Sequence, residues 1–175
     1  SRDWSSDVCS SDLLGAMGGR IAKRLLSKGH TVTGYDLFPA KAKELAADGL
    51  KPASSPREVC AAADITFVMV TNTAALEGAT AGPDGLLAGL GPGKILIDMS
   101  TVGPTVSRDL AARVRERGAD MLEAPVSGSV SLVEQGKLSV MVGGPRPTFE
   151  KVKPLLEEIG QKVTYIGENG LRSEE

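Results

Sequence analysis

The sequence contains few of the residues that build metal sites and disulfide frameworks. Its 175 residues include two cysteines, Cys9 and Cys60, and one histidine, His30. Their spacing predicts neither a disulfide framework nor a metal site, and it favours the reducing cytoplasm as the compartment. A formal net charge of −2 gives no electrostatic footprint for nucleic acid or for an anionic membrane. The longest apolar runs, such as residues 65–70, are too short to span a bilayer, and the Ser- and Asp-rich start lacks the pattern of a signal peptide.

Strand-like and helix-like apolar patterns alternate along most of the chain. Short apolar runs predict strands over residues 31–36, 51–53, 65–70, 95–99, 121–126, 138–142 and 163–166. Apolar residues at helical spacing lie between most of these runs, over residues 21–29, after Pro39, Pro56 and Pro104, and over residues 149–159 with a kink at Pro154. This alternation predicts an α/β fold with a doubly wound, mostly parallel sheet of the Rossmann type and helices on both faces.

Residues 13–18 are similar to the phosphate-binding loop G-x-G-x-x-G of nucleotide-binding βαβ units. Gly15 fits the second glycine, where backbone approaches a pyrophosphate, and Gly18 fits the third, where helix packs against strand. Leu13 stands in place of the first glycine, although leucine cannot easily adopt the tight turn required there. An ordinary glycine-rich turn is the alternative interpretation. A helix that starts in this loop would point its amides at the phosphates. The predicted cofactor-binding residues of the loop are Gly15, Ala16, Met17 and Gly18.

An acidic residue, Asp36, ends the predicted strand 31–36, about 20 residues beyond the loop. In dinucleotide-binding units such an acid binds the ribose 2′-hydroxyl, so Asp36 is a further predicted cofactor-binding residue. The 2′-phosphate of NADP would meet a like charge here, and Asp36 therefore favours NAD. Lys41 and Lys43 could soften that preference and keep NADP possible; the alternative is that both are solvated helix charges.

Three longer strings give the chain a family resemblance. They are LGAMGGRIA at residues 14–22, IDMST at 97–101, and EAPVSGS at 123–129 followed by GKLSVMVGG at 136–144. Together they resemble the 3-hydroxyisobutyrate dehydrogenase, or β-hydroxyacid dehydrogenase, family, which is related to 6-phosphogluconate dehydrogenase. The resemblance implies NAD(P)-linked hydride transfer between a small 3-hydroxy acid and its aldehyde or keto form. It also implies a small carboxylic-acid substrate and a homo-oligomer formed through a separate all-helical domain.

The substrate loop of the resembled family usually reads D-A-P-V-S-G-G. Here Glu123 replaces the acid and Ser129 replaces the last glycine, as in the glyoxylate and succinic-semialdehyde reductase branch, so the resemblance leaves the substrate open. By resemblance, Ser127 and Gly128 bind the substrate carboxylate with a hydroxyl and an amide, and Ser129 completes the substrate-binding set. A carboxylate held by few donors sets the reacting carbon near a nicotinamide. The alternative is a plain turn between two strands.

The resemblance assigns three further residues to the cofactor. Val70 and Thr71, at the end of a predicted strand, would line the cofactor cleft, as the carboxyl ends of parallel strands do. The family often has proline where this chain has Thr71. Thr101 would lie beside the nicotinamide, and its alternative role is the N-cap of the helix that starts near Pro104.

Both ends of the chain differ from the predicted domain. Residues 1–13, SRDWSSDVCSSDL, repeat SSD and lack an apolar period, which predicts a leader that is non-native or disordered and poor as a strand. They and the tail, residues 171–175, resemble translated sequencing-adapter tracts. We therefore expect residues 14–170 to be an incomplete dinucleotide-binding domain whose first strand is missing or replaced.

The resemblance also implies a proton acceptor, which in the family is a lysine on the helix after the last strand. No lysine follows Ile166 in this sequence. We therefore assign no catalytic residue and expect the polypeptide to be inactive and poorly stable. The alternative functions are a non-catalytic, dehydrogenase-like cofactor-binding module and an imine reductase of the same fold.

Overall fold

The computed structural model describes residues 7–11 and 15–171. The strands of these residues are β1 (Asp7–Ser11), β2 (Thr31–Tyr35), β3 (Lys51–Pro52), β4 (Ile65–Val68), β5 (Ile95–Asp98), β6 (Asp120–Glu123), β7 (Val126–Ser127), β8 (Leu138–Gly143) and β9 (Gly160–Gly167). The helices are α1 (Gly18–Ser27), α2 (Pro39–Ala46), α3 (Pro56–Ala62), α4 (Thr73–Thr80), α5 (Leu86–Gly89), α6 (Pro104–Glu116), α7 (Val130–Glu134) and α8 (Arg146–Ile159).

The strands form one mostly parallel sheet in the order β3-β2-β1-β4-β5-β6-β8-β7, with β9 paired to β8. All pairings from β3 across to β6 are parallel, whereas β8 runs antiparallel to β6 and β7 and parallel to β9. The predicted α/β fold with a doubly wound, mostly parallel sheet is confirmed. The chain first winds outward from β1 to β3 and then crosses back to β4. The order therefore reverses beside β1, which is where open α/β sheets form ligand crevices.

The position of the first strand is filled by Asp7–Ser11. This strand lies between β2 and β4, with Asp7 opposite Thr31 and Val8 opposite Ile65. The prediction that the leader is poor as a strand is wrong for these five residues. The first strand of the domain was expected to be either missing or replaced, and the structure shows that it is not missing. A central strand is held by backbone hydrogen bonds to two neighbours, and such bonds outweigh weak side-chain preferences. The non-native origin of residues 1–13 stays a prediction.

Apolar side chains cover both faces of the sheet. Alternation along β5 shows this directly, because Ile95 and Ile97 belong to one buried cluster and Leu96 to another. The first cluster contains side chains of α1, α2 and α8, and the second contains those of α4, α5 and α6. Both faces of the strands are therefore shielded from solvent, as the continuous apolar runs predicted.

Several boundaries differ from the sequence prediction. β4 ends at Val68 rather than at residue 70, and α8 begins at Arg146 rather than at residue 149. The pattern missed α4 and α7, whose short lengths bury few apolar side chains. Asn72 caps α4 by accepting a hydrogen bond from the amide of Ala75 at 2.8 Å, which fixes a helix start that apolar spacing alone does not reveal. Over residues 7–11 and 15–171, every helix is too short or too polar to cross a membrane.

Candidate functional site

The predicted cofactor-binding residues lie along one edge of the sheet. Asp36 directly follows β2, Val70 lies just beyond β4, and Thr101 lies just beyond β5. The carboxyl ends of parallel strands meet at the same edge, so these residues share a rim with residues 15–17, which come between β1 and α1. We call this edge the cofactor rim: residues 15–17, Asp36, Val70 and residues 98–101.

The phosphate loop leads directly into α1. The amide of Gly19 donates to the carbonyl of Gly15 at 3.0 Å, and the amide of Ile21 donates to the carbonyl of Met17 at 3.0 Å. Met17 is the N-cap residue, and among the described residues it makes no side-chain capping bond. No side chain of the described residues caps this ten-residue helix, and the amides and dipole of such a helix N-terminus favour a bound anion.

Space for such an anion lies above Gly15. Among the described residues, the nearest atom to a Cβ placed on Gly15 is Nζ of Lys41, 4.0 Å away. A cavity of about 330 Å³ opens beside the loop, and Gly15, Ala16, Arg20 and Lys41 are among its lining residues. Backbone amides, open space and nearby cations fit the pyrophosphate of a dinucleotide. Leu13, which stands in place of the first glycine, lies outside the described residues.

Asp36 is held rigidly at the end of β2. Its side chain is 6% exposed, and its Oδ1 accepts a hydrogen bond from the amide of Phe38 at 2.8 Å. This bond closes a turn around the acid and fixes its carboxylate at the rim. The following Leu37 and Phe38 are 70% and 67% exposed, and they form an apolar surface that the sequence pattern did not indicate. Lys41 lies over the Phe38 ring at 5.4 Å, whereas Lys43 is exposed.

The nicotinamide side of the predicted site is built from β4 and β5. Val70 is buried, and its amide donates to Oγ of Ser100 at 2.8 Å. The amide of Ser100 in turn donates to Oδ1 of Asp98 at 2.9 Å. Sequence reasoning missed Ser100, although its position directly after a buried strand and beside Thr101 was a usable signal.

Thr71 and Thr101 are exposed at the same rim. The alternative role of Thr101 as a helix cap is wrong, because the N-cap residue of α6 is Gly103 and makes no side-chain capping bond. Both threonine hydroxyls therefore lie where a ligand above the rim could reach them.

The predicted substrate segment, residues 127–129, joins β7 to α7. Ser127 pairs through its backbone with Ser139 of β8, and its side chain is exposed. Gly128 has φ +145°, and a Cβ there would lie 2.8 Å from Cδ2 of Leu138. Ser129 is the N-cap residue of α7, and its hydroxyl lies 2.9 Å from that of Ser131. The connection between β7 and β8 thus contains the helix α7 as well as a turn, and the structural and the binding interpretation of Ser127 and Gly128 both stay predictions.

Glu123, the departure from the family's aspartate, is buried in the fold rather than exposed on the surface. The residue is 7% exposed, and its carboxylate accepts hydrogen bonds from the Ser107 hydroxyl and, at 2.9 Å, from the amide of Gly170. Glu123 therefore joins β6 to α6 and to the turn after β9. Within residues 7–11 and 15–171, no group of three His, Cys, Asp or Glu side chains could hold a metal ion.

Comparison with known proteins agrees with this geometry. Residues 14–167 match the family described as the NAD binding domain of 6-phosphogluconate dehydrogenase. The chain is 37% identical over 157 residues to 2-(hydroxymethyl)glutarate dehydrogenase of Eubacterium barkeri, covering 90% of this chain and 52% of that protein. It is 40% identical to the mitochondrial 3-hydroxyisobutyrate dehydrogenase of Mus musculus, over 90% of this chain and 47% of that one.

A solved structure described as Psf3 in complex with NADP+ and 2-OPP superposes with a TM-score of 0.90 at 34% identity. The match covers 95% of this chain and 59% of that chain. The chain thus spans about half the length of the curated relatives it matches.

Proposed function

The chain belongs to the family of the NAD-binding domain of 6-phosphogluconate dehydrogenase, and on that premise we propose that it serves an NAD(P)-dependent hydroxyacid dehydrogenase. The parent enzyme would interconvert a small 3-hydroxy acid and its aldehyde or keto form. The observation that carries this proposal is the start of α1, where uncapped amides, the open space at Gly15 and the buried Asp36 meet at one sheet edge. The serine-rich segment beyond β7 supports the hydroxy-acid substrate.

Each part of the cofactor has residues that would hold it. The loop residues Gly15, Ala16, Met17 and Gly18 would bind the pyrophosphate, and Asp36 would accept hydrogen bonds from the adenosine ribose. Val70, Thr71 and Thr101 would line the place of the nicotinamide, whose ring supplies the hydride when it is bound. Ser100 fixes the backbone of Val70 and so fixes the floor of the proposed nicotinamide site.

Substrate binding would fall to the segment after β7. The hydroxyl of Ser127 and the amide of Gly128 would hold the carboxylate, with the hydroxyl of Ser129 nearby. Exposure of these groups and the positive φ of Gly128 support this role, because the segment keeps its donors free of the core. A carboxylate held at one end of a small acid orients the reacting carbon and so lowers the entropic part of the barrier.

NAD is the proposed preferred cofactor, and NADP is a possible one. The Asp36 carboxylate is buried and fixed by Phe38, so it cannot readily swing away from a 2′-phosphate. Lys41, which reaches over the loop to Gly15, supplies the cation that keeps NADP possible.

Titration of the chain with NADH and with NADPH, followed by nicotinamide fluorescence, tests the proposal. NADH should bind more tightly than NADPH. Asp36→Ala should weaken NADH binding about tenfold, as the loss of a hydrogen bond to a charged group predicts. Asp36→Asn keeps an acceptor for the Phe38 amide and removes the charge. It should therefore reduce the ratio of NADH affinity to NADPH affinity without disturbing the turn. Asp48→Ala, which removes an exposed acid of the neighbouring helix end, is the matched control.

Two results would contradict these roles. If neither dinucleotide binds, the proposed function is wrong. If both dinucleotides bind but Asp36→Asn leaves their ratio unchanged, the role of Asp36 is wrong and the rest stands. That the 175-residue chain turns over no substrate stays a prediction, which an assay with 3-hydroxyisobutyrate and succinic semialdehyde tests.

We also propose that the parent is a cytoplasmic homo-oligomer that does not bind nucleic acid. The net charge of −2 supports the absence of nucleic-acid binding, and the two cysteines, which lack disulfide spacing, support the reducing cytoplasm. Size-exclusion chromatography and a gel-shift assay of the complete protein test it. The domain limits, residues 14–170 with non-native residues 1–13 and 171–175, stay a proposal that a genomic read across both junctions would decide.

A further inference from the structure

Two arginines of α1 contact the last residue of α7, and one of them, Arg20, also contacts the phosphate loop. Arg20 donates from Nη1 to the carbonyl of Ala16 at 2.7 Å and from Nε to Oε1 of Glu134 at 3.0 Å. One guanidinium therefore bridges a loop carbonyl and the last residue of α7. The planar fork of arginine suits this arrangement, because separate N–H groups point at the two acceptors.

Arg24, one turn further along α1, fixes the backbone at the end of α7. Its Nη1 donates to the carbonyl of Glu134 at 3.0 Å, and its Nε donates to the carbonyl of Glu158 in α8. The guanidinium packs so closely on Gly136 that a Cβ at that glycine, which has φ +67°, would overlap it. The end of α7 is thus docked on α1, and Glu134 is held within reach of Arg20.

The position of α7 gives this contact a consequence. The helix begins directly after residues 127–129, the proposed substrate segment. Arg20 and Glu134 also line the cavity beside Gly15 and Ala16. A dinucleotide pyrophosphate bound at the phosphate loop would thus lie near Arg20. Arg20 contacts Glu134 of α7, and α7 follows the substrate segment directly.

We infer that Arg20 is a positioning residue that couples the phosphate loop to residues 127–129 through Glu134. When the loop holds a dinucleotide, Arg20 is fixed between the loop carbonyl and Glu134, and α7 with the segment before it becomes more ordered. This inference rests on the proposed function. The pair is partly exposed, at 38% and 61% of the side-chain surface, so it contributes little to stability, and its removal should leave the fold intact. Its effect is then visible as ligand-dependent order rather than as unfolding.

Amide hydrogen exchange of the 175-residue chain, with and without saturating NADH, tests the coupling. In the unchanged protein, NADH should slow exchange in peptides covering residues 15–21 and in peptides covering residues 127–135. In Arg20→Ala, the protection of residues 15–21 should persist, while NADH-dependent protection of residues 127–135 should fall by about two- to fivefold, the range expected for an exposed ion pair. A merely structural role would raise exchange of residues 127–135 equally with and without NADH.

Lys23→Ala provides the matched control. Lys23 lies on the same helix and lines the same cavity, but it pairs with Asp48 at 3.2 Å and not with α7. It should leave the protection of residues 127–135 unchanged. Glu134→Ala should reproduce the loss seen in Arg20→Ala, the double variant should be no worse than either single variant, and Glu134→Gln, which keeps an acceptor for Arg20, should restore part of the protection.

The outcomes separate the inference from the proposed function. Protection of residues 15–21 without protection of residues 127–135 in the unchanged protein overturns the coupling and leaves cofactor binding standing. An equal loss in Lys23→Ala and Arg20→Ala also overturns it, because the effect would then be one of general charge. No protection anywhere would overturn both.

Discussion

The cofactor rim and the substrate segment are held in place by different kinds of contact. At the rim, Asp36 bonds to Phe38 two residues away, and Val70 bonds to Ser100 across neighbouring strands. The region around residues 127–129 depends on partners far away in the sequence. Glu123 binds Gly170, and Arg20 of α1 binds Glu134.

The cofactor rim is therefore the preorganised half of the site. Backbone geometry and short local turns build the rim, so its shape follows from the strand order. Contacts from α1, α6 and the turn after β9 stabilise the substrate side, so its order depends on the rest of the fold. Variants that remove one contact from each half of the site test this difference.

Glu123→Ala should have the largest effect on stability. It removes the buried acceptor of the Ser107 hydroxyl and the Gly170 amide, and leaving buried donors unpaired should lower the free energy of unfolding by about 2–4 kcal/mol. Urea denaturation measures this change. Glu134→Ala, which removes an exposed acid on the same side of the site, should cost less than about 1 kcal/mol. Equal losses in the two variants would mean that the buried contacts do not anchor the substrate side.

A pair of glycine variants should show the next largest effect and should separate the two regions by readout. Gly128→Ala forces a Cβ onto a backbone with φ +145°, 2.8 Å from Leu138, and should lower stability by about 1–3 kcal/mol. Gly15→Ala introduces a methyl group into open space among the described residues, so stability should stay within about 0.5 kcal/mol. Because that methyl group occupies the approach to the phosphate loop, NADH binding should weaken. Thermal denaturation and NADH titration would contradict the comparison if both variants lost mainly stability.

The local character of the rim explains why the sequence predicted it. Gly15, Gly18 and Asp36 stand at spacings set by one βαβ unit, and strand ends such as Val70 follow from apolar runs. Alternation of strands and helices was sufficient to predict a doubly wound sheet, because that fold is the common way to cover both faces of parallel strands.

The substrate side was less predictable because its contacts join distant parts of the chain. Sequence spacing does not place Arg20 beside Glu134, since 114 residues separate them. Glu123 reads as a substrate-loop acid in its motif, yet its carboxylate faces Ser107 and Gly170 inside the fold. The strand at Asp7–Ser11 was underestimated for the same reason: pairing with β2 and β4 on both sides decides its structure, and local side-chain preference does not.

Two serine variants give the smallest and sharpest test of the comparison. Ser100→Ala removes the acceptor of the buried Val70 amide, and an unpaired buried N–H should cost about 1–2 kcal/mol of stability. NADH affinity should fall as well, because the backbone of Val70 would no longer be fixed in the proposed nicotinamide site. Ser129→Ala removes the hydroxyl of an exposed residue that bonds to the hydroxyl of Ser131, which is also exposed, so stability should change by less than about 0.5 kcal/mol. If Ser129→Ala were the more destabilising of the two, the substrate segment would be the more tightly bonded region, and the claim that only the rim is preorganised would be wrong.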